Sequence, residues 1–240
     1  MNEYYENGNL KLEVLYEDDR EDGLKKYYYE SGALEVEVPY VNGKRNGVQK
    51  YYSENGILKA EISCVNDLQD GSSKEYYENG ALDLEVNFIK GKEDGIQKEY
   101  YESGVLKLET PFVNGEVTGI QKEYYESGNL KSETNFIDGM KEGVEKRYYE
   151  SGNLLSEATF KKDFAQGTYL EYYDSGKLAK KEVYPDTDDS TYGDLKESKS
   201  YYENGKLKSE WVELESEKSW TMLFYNEDGT PKKSNIEQCD

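Results

Sequence analysis

The large apolar side chains of this chain recur in rows with a period of 24 residues. The leucine row comprises Leu10, Leu34, Leu58, Leu82, Leu106, Leu130, Leu154, Leu178 and, after a longer gap, Leu207. The aromatic row comprises Tyr16, Tyr40, Phe88, Phe112, Phe136, Phe160 and Tyr184, with Cys64 in one repeat. Around these rows apolar and polar residues alternate in short segments, which is typical of β-strands with one face on a core. Each repeat is therefore predicted to be a β-hairpin.

The turns of these hairpins are marked by the motif Tyr-Tyr-Glu-(Asn/Ser)-Gly. Its glycines lie 24 residues apart from Gly8 to Gly176, and Gly205 and Gly229 follow a five-residue insertion. Ten repeats fill the chain, which predicts an all-β fold: an elongated, twisted antiparallel meander of stacked 24-residue hairpins. We expect three parts: repeats 1 to 8 (1–184), an acidic insertion loop (185–195), and the last two repeats with a C-terminal cap (196–240).

The residue before each turn glycine indicates the turn type. A two-residue type I′ turn needs positive φ at that residue, which Asn7 tolerates well and Ser127 poorly. A three-residue loop, a type I turn followed by glycine in the left-handed region, suits both residues. This register places Tyr124 on the face of the leucine opposite, and strict alternation then places Tyr125 and Glu133 together on the other face.

The charge narrows the range of partners. The formal net charge is −21, there is no histidine, and 25 residues are tyrosine. A chain this acidic repels phosphate, so neither nucleic acid nor an anionic membrane is an expected partner. Two cysteines are too few for a disulfide framework, and we find no leader or apolar span. The expected location is the cytoplasm, or outside it after removal of a leader; the oligomeric state stays open.

Catalysis is not expected from this sequence. It contains no nucleophile elbow, no P-loop and no dinucleotide fingerprint. Glutamates do recur five residues after the turn glycine, at Glu13, Glu37, Glu61, Glu85, Glu109, Glu133, Glu157 and Glu210. A glycosidase-like carboxylate pair could be drawn from this row, but an active site is singular and this row is repeated. We interpret it as a solvated strand face and predict a protein that is not an enzyme.

The second tyrosine of each motif forms a further row on the predicted polar face. Two interpretations remain open: these tyrosines pack on neighbouring hairpins, or they form a binding surface, since tyrosine is a rigid amphipathic anchor. The candidate partner-binding residues combine the central tyrosines with their glutamates: Tyr77, Tyr101, Tyr125, Tyr149, Tyr173, Glu85, Glu109, Glu133 and Glu157. The acidity of the chain indicates that such a partner is a basic protein.

The insertion offers a candidate calcium site. Its oxygen-bearing residues match positions 1, 3, 5, 9 and 12 of a calcium loop: Asp186, Asp188, Ser190, Asp194 and Glu197. The glycine expected at position 6 is Thr191, and no helices flank the segment. A solvated acidic loop is the alternative interpretation, and no other cofactor is predicted.

The repeat resembles a known family. Its pattern reads Gly-x-x-Lys-x-Tyr-Tyr-Glu-(Asn/Ser)-Gly-x-Leu-Lys-x-Glu-x-x-Phe-x-x-Gly, best matched between Gly95 and Gly143, and it is similar to the variant MORN repeat of bacterial proteins. Arrays of this kind are commonly classed as YwqK-type antitoxins. The resemblance implies a curved hairpin array used for protein contacts, and it brings no catalytic residue.

Three functions follow from these expectations. The leading hypothesis is a protein-binding scaffold that holds a basic protein on an acidic, tyrosine-rich face; its specific form, suggested by the resemblance, is an antitoxin or immunity protein. The alternative is a structural or cell-surface-associated array that serves self-assembly. The third is a hydrolase acting through carboxylates.

Overall fold

The computed structural model describes residues 1–186, 195–214 and 219–232. Over these residues the chain forms β-strands and no helix, and therefore no helix able to span a membrane. By its internal contacts the chain divides into an N-terminal unit, Met1–Gly119, and a C-terminal unit, Ile120–Asp240. The predicted insertion loop lies mostly outside the described residues, so the three-part division stays a prediction.

The N-terminal unit contains the first fifteen strands. They are β1 (Asn2–Tyr4), β2 (Leu10–Glu13), β3 (Tyr16–Glu17), β4 (Arg20–Glu21), β5 (Gly23–Tyr28), β6 (Leu34–Val41), β7 (Lys44–Arg45), β8 (Gly47–Tyr52), β9 (Leu58–Val65), β10 (Leu68–Tyr76), β11 (Leu82–Ile89), β12 (Lys92–Glu93), β13 (Gly95–Tyr100), β14 (Leu106–Val113) and β15 (Glu116–Val117).

The next strand begins at the last residue of this unit and the others follow in the C-terminal unit. They are β16 (Gly119–Tyr124), β17 (Leu130–Ile137), β18 (Met140–Tyr148), β19 (Leu154–Lys161), β20 (Phe164–Tyr172), β21 (Leu178–Tyr184), β22 (Glu197–Tyr201), β23 (Leu207–Leu214) and β24 (Ser219–Phe224).

Successive long strands pair antiparallel within each unit. In the N-terminal unit β13 pairs with β14 of its own repeat and with β11 of the repeat before it. In the C-terminal unit β20 pairs with β19 and β21 in the same way. The predicted all-β meander of 24-residue hairpins is confirmed.

The first turn of each repeat has the predicted geometry. Tyr5 N–H donates to the carbonyl of Asn9 at 2.8 Å, and Gly8 N–H donates to the carbonyl of Tyr5 at 2.9 Å. Gly8 has φ +87°, whereas the left-handed non-glycine residues of the described chain all lie at the opposite tips of the hairpins. The turn is therefore a type I turn closed by a left-handed glycine, and the three-residue loop is confirmed.

A one-residue bulge follows this turn and changes which side chains share a face. Tyr100 pairs with Leu106, whereas Glu99 pairs with Leu108, so that Lys107 is an extra residue. The same shift occurs at the equivalent place in the other repeats with a described register there. Because directly paired residues share a face, the second strand reverses its orientation after the leucine. The predicted strict alternation through the repeat is wrong.

The bulge defines two faces that differ in burial. We call the face of Gln97 and Thr110, which pair with each other, the core face, and the face of Lys98 and Glu109 the outer face. Most buried side chains of the described residues lie on the core face: Val14, Val38, Gln49, Cys64, Ser73, Val86, Thr110, Thr134, Glu145, Ser156 and Ser198. The core is thin and partly polar, because each hairpin packs mainly against its neighbours.

The far tips of the hairpins, opposite the motif turns, are two-residue type I′ turns from the first repeat to the one that ends at Asp163. At one of them Asn114 has φ 53° and Gly115 has φ +88°, and Asn42 and Gly43 take the same conformation. Both central residues of a type I′ turn need positive φ, which asparagine and glycine accept most readily. Each repeat whose far tip is among the described residues thus has a type I turn at one end and a tighter turn at the other.

Candidate binding surfaces

The second tyrosines of the motif link one repeat to the next. In both units their hydroxyls donate to the backbone carbonyl of the first tyrosine of the following repeat, at 2.6 to 2.8 Å. The donors are Tyr5, Tyr29, Tyr77, Tyr125, Tyr149, Tyr173 and Tyr202. Their rings are half-buried, as is that of Tyr101. The geometry therefore favours the first of the two open interpretations, packing on the neighbouring hairpin.

The glutamate row links repeats on the outer face. Glu61 binds Lys50 Nζ at 3.2 Å and accepts from the hydroxyl of Tyr76, in the next repeat, at 3.0 Å. Burial alone would raise the pKa of Glu61, but these two donors hold it below its ordinary value. Glu85 and Glu133 form the equivalent ion pairs with lysines at 3.3 and 3.9 Å.

The candidate residues do not form one surface. The bulge places the glutamates on the outer face, where Glu85 lies opposite Lys98, Glu109 is paired with Lys98 and Glu157 with Lys146. The second tyrosines follow the core-face residues of the first strand. The prediction that tyrosines and glutamates share a face is wrong, because the extra residue in the second strand turns the glutamates to the other side.

The candidate calcium residues are only partly described. Asp188, Ser190 and Asp194 lie outside the described residues, and Asp186 is exposed. The carboxylate of Glu197 is bound by Lys199 at 2.9 Å and Lys181 at 3.1 Å. Hydrogen bonds from these two lysines lower the pKa of Glu197. Among the described residues no group of acidic or cysteine side chains is arranged to hold a metal ion.

A different acidic row is free to meet a partner. The third residue of each turn motif is acidic and exposed in all ten repeats. We call this the turn-acid row: Glu6, Glu30, Glu54, Glu78, Glu102, Glu126, Glu150, Asp174, Glu203 and Glu227. No ion pair of the described residues involves any of them. Sequence reasoning missed this row, although its signal is the glutamate of the motif itself.

The core face of the C-terminal unit holds a polar groove. Two open cavities of about 410 and 290 Å³ share Glu145 and Arg147, and Tyr125 lines the larger one. The buried carboxylate of Glu145 binds Lys141 Nζ at 2.5 Å and Arg147 Nη2 at 2.9 Å, and accepts from Thr134 Oγ1 at 3.3 Å. Burial opposes ionisation, but the two cations lower the pKa of Glu145. The charged groups here are bonded to one another.

The fold and these surfaces define a class: an all-β scaffold of tandem hairpin repeats. The repeat model described as "MORN repeat variant" matches residues 1–18, 21–42, 45–66, 69–90, 93–114, 117–138, 141–162, 165–184 and 196–212. The chain belongs to the MORN repeat variant family.

Other comparisons add little. No curated protein matches the sequence. A chain in the crystal structure of TcdB2-TccC3-Cdc42 is similar at 14% identity, over 94% of this chain and 14% of that chain, with a TM-score of 0.23.

Proposed function

We propose that this chain is a non-enzymatic scaffold that binds a basic protein along its turn-acid row. The observation that supports the proposal is the row itself: one exposed carboxylate per repeat, at the same turn position, outside the ion pairs of the described residues. Equivalent strands lie roughly 10 Å apart, so within each unit the carboxylates form a line of evenly spaced charges. Such a line attracts a basic surface and speeds encounter with it.

The turn-acid row suits this role better than the glutamates first predicted. Glu61 and Glu85 already share their charge with Lys50 and Lys74. A partner would have to displace those lysines before it could use the carboxylates. The turn acids have no lysine to displace, because they are exposed and lie outside the ion pairs of the described residues, although Asp174 accepts hydrogen bonds from the side chains of Ser151 and Asn153. The second tyrosines are likewise occupied by hydrogen bonds to the next repeat.

The specific form of the proposal is an antitoxin or immunity protein. Its support is the resemblance of the repeat to arrays classed as antitoxins, together with the net charge of −21. In this form the basic partner is a toxin, and the acidic edge neutralises it by covering its basic surface.

A charge-matched pair of variants tests the proposal. Glu54→Gln with Glu78→Gln removes two turn acids, and Glu61→Gln with Glu85→Gln removes two glutamates of the outer face in the same unit. Both variants change the net charge equally, so long-range attraction changes equally. The probe is a lysine-rich peptide titrated calorimetrically at low salt, followed by affinity capture of basic proteins from extract of the source cells.

We expect the turn-acid variant to bind the peptide about tenfold more weakly than the outer-face variant, and to lose captured basic proteins that the outer-face variant retains. Equal affinities would show that only net charge matters and would refute the turn-acid row. Retention of the same proteins by both variants would refute it as well. Melting curves of the two variants confirm that both are folded before binding is compared.

A further inference from the structure

An exposed apolar stripe runs along the outer face of the N-terminal unit. It lies near the type I′ tips, beyond the lysine–glutamate pairs, and covers four successive repeats. Its members are each 44% to 54% exposed: Val41, Val48, Val65, Leu68, Ile89, Ile96 and Val113. Their ladder partners fix the face, since Ile96 pairs with Pro111, Val48 with Ser63 and Leu68 with Val65. We call these seven residues the apolar stripe.

The stripe has a regular spacing, and its equivalent positions stay apolar and exposed in the first repeats of the C-terminal unit. Its repeats are roughly 10 Å apart, so it extends over roughly 30 Å of the N-terminal unit. In the C-terminal unit the same positions are apolar at Ile120, Ile137 and Val144 and then become Lys161 and Thr168. A contiguous exposed apolar row of this kind, bordered by polar residues, marks an interaction site.

The charges beside the stripe are balanced. Lys26 binds Glu37 at 3.8 Å, Lys50 binds Glu61 and Lys74 binds Glu85. The turn-acid row lies at the other end of the hairpins, roughly 25 Å away along an eight-residue strand. Two molecules of this acidic protein therefore meet the least electrostatic repulsion when they approach through the stripe.

We infer that the apolar stripe of the N-terminal unit is the interface between two copies of this chain. The two sheets pack outer face against outer face, at the usual separation of about 10 Å between stacked sheets. A second copy has its apolar stripe residues at the same spacing. The stripe residues of the two copies can therefore make the same contact at each repeat. The interface is isologous: the same residues of both copies contribute an apolar centre with a rim of lysine–glutamate pairs.

Salt separates this interface from the turn-acid row. Added salt screens the repulsion between two acidic copies, whereas an apolar contact persists, so self-association strengthens with salt. Binding of a basic protein along the turn-acid row weakens with salt for the same reason. The proposed dimer interface and the proposed partner-binding row can therefore be confirmed or refuted independently of each other.

Sedimentation of the full chain over a concentration series, at low and high salt, tests the inference. The first variant is Ile89→Ser with Ile96→Ser, and the second is Val48→Ser with Val65→Ser. The control is Leu223→Ser with Phe224→Ser, which makes the same kind of change on exposed apolar residues of the C-terminal unit that lie outside the stripe positions of the repeat. Melting curves select the variants that fold.

We expect a dimer that tightens with salt, about tenfold or more weaker in either stripe variant and unchanged in the control. A monomer at every concentration and salt would overturn the inference. So would a dimer that weakens with salt, or one that the control disrupts as much as the stripe variants do. If one stripe variant fails to fold, the other decides.

Discussion

At the scale of the residue, the two tyrosines of the motif have separate roles. The second tyrosine donates its hydroxyl to a backbone carbonyl of the next repeat, as Tyr149 does to Tyr172 at 2.8 Å. The first tyrosine reaches back to a glutamate of the previous repeat, as Tyr76 does to Glu61. A hydrogen bond of this kind contributes about 1 kcal/mol to stability, and the array repeats both kinds along its length. The tyrosines therefore recur along the chain because their hydroxyls join neighbouring repeats.

Tyrosine hydroxyls bonded to carboxylates make the fold sensitive to alkaline pH. Burial, followed by the hydrogen bond to Glu61, raises the pKa of the motif residue Tyr76 to about 12. Outside the motif, burial followed by hydrogen bonds to Glu171 and Glu182 raises the pKa of Tyr169 and Tyr184 to about 12. In the unfolded chain tyrosine has a pKa of about 10. The folded state thus favours the neutral form, so this stabilisation is complete below about pH 10 and is lost as pH rises towards about 12.

We expect the tyrosines to ionise together with unfolding over this range. Ultraviolet absorbance of tyrosinate and circular dichroism, recorded in one titration, should change at the same pH. Tyr76→Phe should retain more of its stability above pH 10 than the parent chain does. Full ionisation near pH 10 with the β-sheet intact would contradict the role given to these hydroxyls.

At the scale of the element, each hairpin depends on positive φ at particular glycines. Gly47 begins β8 with φ +122°, and a Cβ added there would lie 2.9 Å from Cγ of Pro39 in the preceding repeat. Gly95 occupies the same position two repeats later, with φ +104°, and a Cβ there would meet nothing within 4 Å. The two glycines share the conformational requirement, and the proline contact distinguishes them.

Replacement of these glycines by alanine separates the two effects. Gly95→Ala should lower the free energy of unfolding by about 1 to 2 kcal/mol, the cost of a left-handed non-glycine residue. Gly47→Ala should cost more, because the proline must also move. Urea unfolding measures both, and Pro39→Ala in the Gly47→Ala chain should recover the difference. Equal costs for the two glycines would show that the close approach of Pro39 has no effect.

Most features of the individual hairpins could be predicted from the sequence. The 24-residue period, the strands and the three-residue turn were all predictable. The spacing of the glycines can be counted in the sequence, and the residue types of Asn7 and Ser31 determine which φ values they tolerate. The residue types within one repeat were therefore sufficient to predict its strands and its motif turn.

The bulge after the first turn was not predictable from alternation. Lys107 is an ordinary strand residue, and the extra position leaves the printed alternation of apolar and polar residues unchanged. One inserted residue nevertheless moves Glu109 to the opposite face from the one expected. The partner of each second tyrosine was also hidden, because a backbone carbonyl carries no sequence signal. The error in the candidate site has these two causes.

At the scale of the whole molecule, only some of its carboxylates are available to bind a partner. On the outer face Glu37, Glu61, Glu85 and Glu133 form ion pairs with lysines. The turn acids are exposed and lie outside the ion pairs of the described residues. The recurring tyrosines hold the repeats together, and we propose that the turn acids bind the partner. Membership of the MORN repeat variant family does not decide whether the tyrosines or the turn acids bind a partner, so the two roles need a test of their own.

The most direct test replaces the second tyrosines of three successive repeats in the full chain: Tyr125→Phe, Tyr149→Phe and Tyr173→Phe together. Each change removes one hydroxyl and leaves the ring. The control is Glu126→Gln with Glu150→Gln, which changes two turn acids of the same repeats and no hydrogen bond between repeats. Free energy of unfolding and affinity for a lysine-rich peptide are measured for each variant.

We expect the tyrosine variant to lose roughly 3 kcal/mol of stability, about 1 kcal/mol for each hydrogen bond, and to bind the peptide as the parent chain does. The control should show the reverse, with unchanged stability and weaker binding. A tyrosine variant of unchanged stability that loses more than about tenfold in affinity would contradict the role of these tyrosines in joining repeats, because the tyrosine row would then be the binding surface first expected from the sequence.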